Sequence, residues 1–204
     1  IAYPTDLNLL NDAREKAEYL IDVLFDPNLH QAKPRNYREK ARKLYLNTAQ
    51  KKIKSKKVIR TAIKQQLNFL KRNIQNIYRL MEAYGTIPLD RYDYKYWLVI
   101  QTLYDQQNKM FKEETHSVEH RIVSIHQPHV RPIVRGKSNA NVEFGAKIQV
   151  SLMNGYAFLD DLQWEEFNEG TRLEMTIDNF KRRFGCYPKL VMADKIYFNS
   201  QKRA

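Results

Sequence analysis

The chain reads as an α+β protein, all-helical to about residue 115 and mixed α/β over 116–204. Three observations predict this. Apolar residues recur at helical spacing through the first half. Pro128 and Pro132 exclude a regular helix soon after His116. Asn154-Gly155, flanked by apolar runs, is the strongest short hairpin signal.

The elements follow in order. Thr5 and Asp6 start a helix whose stripe is Leu7, Leu10, Ala13, Ala17, Leu20, Ile21 and Leu24, and Asp26-Pro27-Asn28 stops it. Asn36 is placed to cap a helix beginning at Tyr37, with Ala41, Leu44 and Tyr45 as a narrow apolar side. The stretch Lys51–Lys57 is a turn or a continuing helix. Lys57 to Tyr84 carries the clearest helical stripe, from Ile59, Ile63, Leu67 and Leu70 to Ile74, Ile77 and Met81, with Gly85 in the C-terminal capping position. Asp90 to Lys112 is a further helix, with Tyr94, Trp97, Ile100, Leu103, Tyr104, Gln107 and Phe111 near one side. These stripes are expected to pack helix against helix. Arg121–Ile125 alternates like a strand. Val142–Leu152 is a second strand, paired through Asn154-Gly155 with Tyr156–Trp164. Gly170-Thr171 opens a helix with Met175, Ile177, Phe180 and Phe184 inward, closed by Gly185. Leu190–Ala193 is a last strand that stops at Asp194.

At 204 residues and 43% hydrophobic content, one large domain or a domain with a helical insertion is expected. Cys186, the single cysteine, excludes an internal disulfide and a cysteine zinc cage, is expected to pack, and fits a reducing, cytoplasmic setting. No apolar run of about 18 residues suggests a membrane span. The opening Ile1-Ala2-Tyr3-Pro4-Thr5-Asp6 has no secretory pattern, and the absence of Met at position 1 suggests an excised or processed chain.

The net charge of +12 is concentrated: His30–Leu80 holds 16 Lys or Arg against one acid, Glu39. Such a block attracts polyanions by counterion release. Lys51, Lys52, Lys54, Lys56, Lys57 and Arg60 are the candidate nucleic-acid contacts; the bland alternative is a solvated helical face. A second acid-free stretch, His120–Val142, suggests an extended arm touching phosphates through Arg131, Arg135 and Lys137, or an ordinary surface loop. His126 and His129 lack a nearby Cys or acid to complete a metal cage. With no glycine-rich phosphate loop and no nucleophile elbow, a nucleotide or other small-molecule substrate is not expected.

Asp194 is the leading chemical candidate. A carboxylate at the end of a buried strand sits at a sheet rim, where it can hold a metal ion for phosphoryl transfer. A helix cap or surface turn is the alternative. The acidic group Asp160, Asp161, Glu165, Glu166 and Glu169 is a second candidate, with a solvated loop as its alternative. Asp160 and Asp161 would point to opposite faces of a strand.

Three stretches resemble one family. Tyr3-Pro4-Thr5-Asp6-Leu7-Asn8-Leu9-Leu10-Asn11 is similar to a signature of bacterial insertion-sequence transposases of the DDE type. Arg121–Ser124, Gln127–Lys137 and Val142–Lys147 resemble a second, and Val191-Met192-Ala193-Asp194-Lys195-Ile196-Tyr197 the segment holding its second catalytic aspartate. The resemblance implies a ribonuclease H-like mixed sheet, here incomplete with its first strand missing, over 116–204, and a basic helical insertion over 1–115. It implies two Mg²⁺ (or Mn²⁺) ions held by an Asp, Asp, Glu triad that cleaves and joins double-stranded DNA. Only Asp194 maps onto the triad: the first aspartate would precede Ile1, the glutamate would follow Ala204, and Asp6 is a capping residue. One ligand of three implies weak metal binding and an inactive isolated chain, cytoplasmic and nucleoid-associated. An unpaired sheet position makes self-association an open possibility. The alternatives are a non-enzymatic DNA-binding or regulatory truncated element protein, and a helical interaction module with an appended α/β domain.

Overall fold

The computed structural model describes residues 5–137 and 140–197, without the side chains of 134–137, 140 and 141. It is α+β and divides into two compact units, Ile1–His129 and Val130–Ala204. Among the described residues no helix is long and apolar enough to cross a membrane.

The first unit is a helical bundle: α1 (Asp6–Leu24), α2 (Arg38–Ala49), α3 (Lys56–Glu82) and α4 (Arg91–Glu113). Three N-termini are capped as short polar side chains dictate. Thr5 accepts from the Asn8 amide at 3.2 Å, Ser55 from Val58 at 3.4 Å and Asp90 from Asp93 at 2.7 Å. The α2 start differs from expectation. Tyr37 is itself the cap, in a left-handed conformation, and Asn36 accepts from the Arg38 amide at 3.3 Å from one residue further out. Residues 51–55 form a loop between α2 and α3.

The stripes meet in one core. Leu10, Ala13, Ala17, Leu20 and Ile21 of α1, Leu70 and Ile77 of α3, and Ile100 and Leu103 of α4 are fully buried. Burying each Leu or Ile is worth about 1.5–3 kcal/mol. Polar groups tie the same helices. Arg14, only 1% exposed, donates to Gln66 at 3.0 Å, Glu18 at 2.6 Å and Asn11 at 2.7 Å. Gln66 passes the link on to the Ala41 carbonyl of α2 at 3.1 Å. The Lys16 ammonium bonds Asp93 at 2.9 Å and lies 3.9 Å above the Tyr19 ring and 4.4 Å above that of Tyr96, joining α1 to α4.

Arg121–Ile125 is not a strand. Ile122, Val123 and Ile125 are buried on the bundle, and the Ile122 amide donates to the Gln106 side chain of α4 at 2.9 Å. The surrounding elements are helices, whose backbone groups are already used, so no ladder can form.

The second unit holds two separate two-stranded antiparallel sheets. β1 (Arg131–Lys137) pairs with β2 (Ala140–Gly145), so the expected arm is a strand. β3 (Lys147–Met153) pairs with β4 (Tyr156–Gln163) through Asn154 (φ 50°) and Gly155 (φ 82°), the positive dihedrals that a two-residue hairpin needs. The expected strand Val142–Leu152 is therefore broken, at Gly145 (φ 151°) and Ala146. A short 3₁₀ turn, Glu169–Thr171, leads into α5 (Leu173–Phe184).

The apolar side of α5 faces the hairpin as expected, with Phe184 edge-on to Phe158 at 5.8 Å, although no residue of α5 is fully buried and Phe184 is 39% exposed, because two strands are too narrow to cover a helix. The last strand is a different case. Leu190–Ala193 forms no strand, because among the described residues no sheet edge pairs with it. The mixed sheet is thus absent among the described residues. Cys186, expected to pack, is exposed.

The buried Arg14 generates a prediction. Arg14→Leu leaves Glu18 buried without its cation and should lower the unfolding free energy by about 3–5 kcal/mol in urea titration. Arg14→Leu with Glu18→Leu should recover more than half of that loss. A double variant no more stable than the single one would contradict the assignment of the cost to Glu18.

Candidate functional site

The basic surface of the helical unit is built by α3 and the loop before it. Lys51, Lys52, Lys54, Lys56 and Lys57 are all exposed. Arg60 is half exposed, pairs with Glu114 at 2.9 Å and lies 4.3 Å over the Phe111 ring. The cations expected from sequence end at Arg60, but the exposed side of α3 continues through Lys64, Lys71, Arg72 and Arg79. A signal for them is present: Lys57, Lys64 and Lys71 recur every seven residues, opposite the apolar stripe.

Arg131 lies elsewhere, in the second unit, and bonds Glu165 at 3.0 Å. The side chains of Arg135 and Lys137 lie outside the described residues. Nδ1 of His126 sits 2.8 Å from the Tyr96 hydroxyl. Burial, with Tyr92 bonded to it, pushes the Tyr96 phenol up to about 12. Among the described residues no group of three His, Cys, Asp or Glu converges as a metal site.

The structure brings two distant stretches of the chain together. Asp6 accepts from Arg121 at 2.7 Å and from Gln107 of α4 at 2.8 Å. Residues 115 positions apart are thereby joined. Arg121 also donates to the His116 carbonyl at 2.6 Å, and Gln106 to the Glu119 and His120 carbonyls at 3.3 and 3.1 Å. Asp6 is committed to this clasp, which no local pattern announced.

In the second unit the acidic group is largely neutralised. Asp160 pairs with Arg183 at 2.6 Å, Asp161 with Arg172 at 3.6 Å and Glu169 with Lys147 at 3.2 Å, besides Glu165 with Arg131. Asp160 is the extra residue of a bulge, since Gln149 faces Asp161 while Val150 faces Leu159. α5 holds that bulge: Asn179 donates to the Asp160 carbonyl at 3.1 Å and Arg183 to the Leu159 carbonyl at 3.1 Å. Asp160, Asp161 and Glu169 stitch the hairpin to its neighbours, while Glu165 and Glu166 are exposed in the loop after β4, as the solvated-loop alternative expects.

Asp194 is exposed and its carboxylate has no ion-pair partner among the described residues. It opens the 3₁₀ turn Lys195–Tyr197, with the Tyr197 amide bonded to its carbonyl at 3.0 Å. The Tyr197 hydroxyl donates to Gln149 of β3 at 3.0 Å, so the turn is docked on the hairpin. The run before it lines an open apolar groove of about 470 Å³ together with Val150 and Leu152 of β3 and Ile177 and Phe180 of α5. Asp194 therefore stands at a turn and not at the expected strand end.

Comparison with protein-family models, curated proteins and solved structures finds nothing that matches this chain.

Gly170 sets the position of the Asp194 turn, for a Cβ there would lie 2.6 Å from the Ile196 carbonyl oxygen. Gly170→Ala should loosen the turn. Hydrogen exchange at the Tyr197 amide should quicken about tenfold, equivalent to about 1.4 kcal/mol of easier local opening. Unchanged exchange would mean that the close fit at Gly170 does not hold the turn.

Proposed function

We propose that this chain is the central portion of a DDE-type transposase, with a basic helical unit that grips double-stranded DNA and an α/β unit that carries one catalytic carboxylate, Asp194. The observation that carries the reading is the clasp of Asp6 with Arg121. It joins two of the three stretches that resemble the family, residues far apart in sequence yet bonded at 2.7 Å. The exposed lysines at 51–57 support the DNA-binding part. Hairpin, helix and apolar run around one groove support a ribonuclease H-like sheet still open on one side.

The described residues do not by themselves fit an Mg²⁺ pair. Asp160, Asp161, Glu165 and Glu169 are held by arginine or lysine, and Asp194 is exposed with no group of three His, Cys, Asp or Glu gathered around it among the described residues. In this reading the remaining ligands come from outside these residues, and the isolated chain is inactive. The second reading, a non-enzymatic DNA-binding element protein, shares the basic surface and rests on the same lysines.

Two measurements test the proposal. Replacing Lys51, Lys52, Lys54, Lys56 and Lys57 by Gln should weaken duplex binding alike for all sequences, with the salt slope falling by about 0.9 for each phosphate no longer neutralised. Weakening confined to element ends would instead mean that the loop reads bases. In the intact transposase, Asp194→Ala should abolish strand cleavage while DNA affinity stays within about twofold, a shift of under 0.5 kcal/mol. Parallel loss of binding and cleavage would count against a catalytic role.

A further inference from the structure

A DNA-binding role leaves open which surface meets the duplex and how. Resting on that reading, we infer that the exposed face of α3 is a docking surface for the sugar-phosphate backbone of duplex DNA, spanning about one helical turn.

The face is a strip of cations spaced by the neutral residues Thr61, Asn68, Gln75 and Tyr78. Lys57, Arg60, Lys64, Lys71, Arg72 and Arg79 are exposed, and at about 3.6 residues per turn they fall within an arc of about 120°. No acid occurs between Lys56 and Met81. From Lys57 to Arg79 the strip runs for about 33 Å at about 1.5 Å per residue, close to the 34–36 Å of one duplex turn. Lys57, Lys64, Lys71 and Arg79 have no acidic partner among the described residues. Two arginines are already oriented, Arg60 over Phe111 at 4.3 Å and Arg72 over Tyr37 at 4.5 Å. Holding a guanidinium in place beforehand lowers the entropy lost when it meets a phosphate.

A helix can enter the major groove, which is about 12 Å wide, even with its other side packed on neighbouring helices as that of α3 is. The row of lysines and arginines on α3 is about as long as one duplex turn, which suits a helix laid along the backbone and touching phosphates without reading sequence. A single strand would need aromatic platforms for its bases. The exposed aromatic on this arc, Tyr78, is hydrogen-bonded to Gln101 and packed edge-on against Trp97 at 4.9 Å. A membrane-surface helix would need a free apolar side, and that side of α3 is buried in the core.

The test uses the full chain and two unrelated duplexes of roughly two turns each, with anisotropy read from about 50 to 200 mM salt. Lys64→Gln with Lys71→Gln and Arg79→Gln should lower the salt slope by about 2.7, and the affinity near 0.1 M salt on the order of 100-fold, for both duplexes. Lys64→Arg with Lys71→Arg and Arg79→Lys should keep the original slope. The inference is overturned if the unaltered chain binds duplex but the glutamine variant matches it in slope and affinity. It is overturned equally by weakening on one duplex only, or by tighter binding of a single strand of equal length. If the unaltered chain binds no DNA at low salt, the DNA-binding reading fails and this inference with it.

Discussion

The two-sided character of α3 is the constraint from which the helical unit follows. Its apolar stripe meets α1, α2 and α4, so this one helix supplies a wall to each of the others. Its remaining surface can then only face outwards, and there every charged residue from Lys57 to Arg79 is a cation. Mutual repulsion along such a row costs stability, which the buried side must offset. Buried polar links add direction to the hydrophobic term. Arg14 bonds Gln66, and Gln66 bonds the Ala41 carbonyl, fixing α1, α3 and α2 in one register.

Local signals are readable in the sequence where the physics is local. The stripes of α1, α3 and α4 need only helical periodicity, and the β3–β4 hairpin needs only the positive φ that Asn154 and Gly155 tolerate. Strands elsewhere are not legible in this way, because a strand exists by virtue of its neighbour. Arg121–Ile125 has strand-like alternation but lies against helices, so Gln106 takes the Ile122 amide. Arg131–Lys137 has the composition of a basic arm, yet Ala140–Gly145 gives it a partner. Nor can composition show that Asp160, Asp161, Glu165 and Glu169 each find a cation, since the partners Arg183, Arg172, Arg131 and Lys147 lie far along the chain.

The same rule explains the Asp194 region. Leu190, Val191 and Met192 are apolar enough for a buried strand but remain 76%, 38% and 89% exposed. Leu152 of β3 is 78% exposed as well, across the groove they share. The groove therefore carries exposed apolar surface on both of its sides. The Tyr197–Gln149 hydrogen bond ties the turn to the hairpin, and Gly170 of the Glu169–Thr171 turn fits closely beneath Ile196.

Lysine acetylation footprinting of the chain with and without duplex DNA addresses the central claim most directly. Protection should concentrate at the exposed lysines 51–71 of the helical unit, including Lys64 and Lys71, and leave Lys181, Lys189 and Lys195 of the second unit as reactive as before. Protection of the second unit's lysines with none along α3 would contradict it.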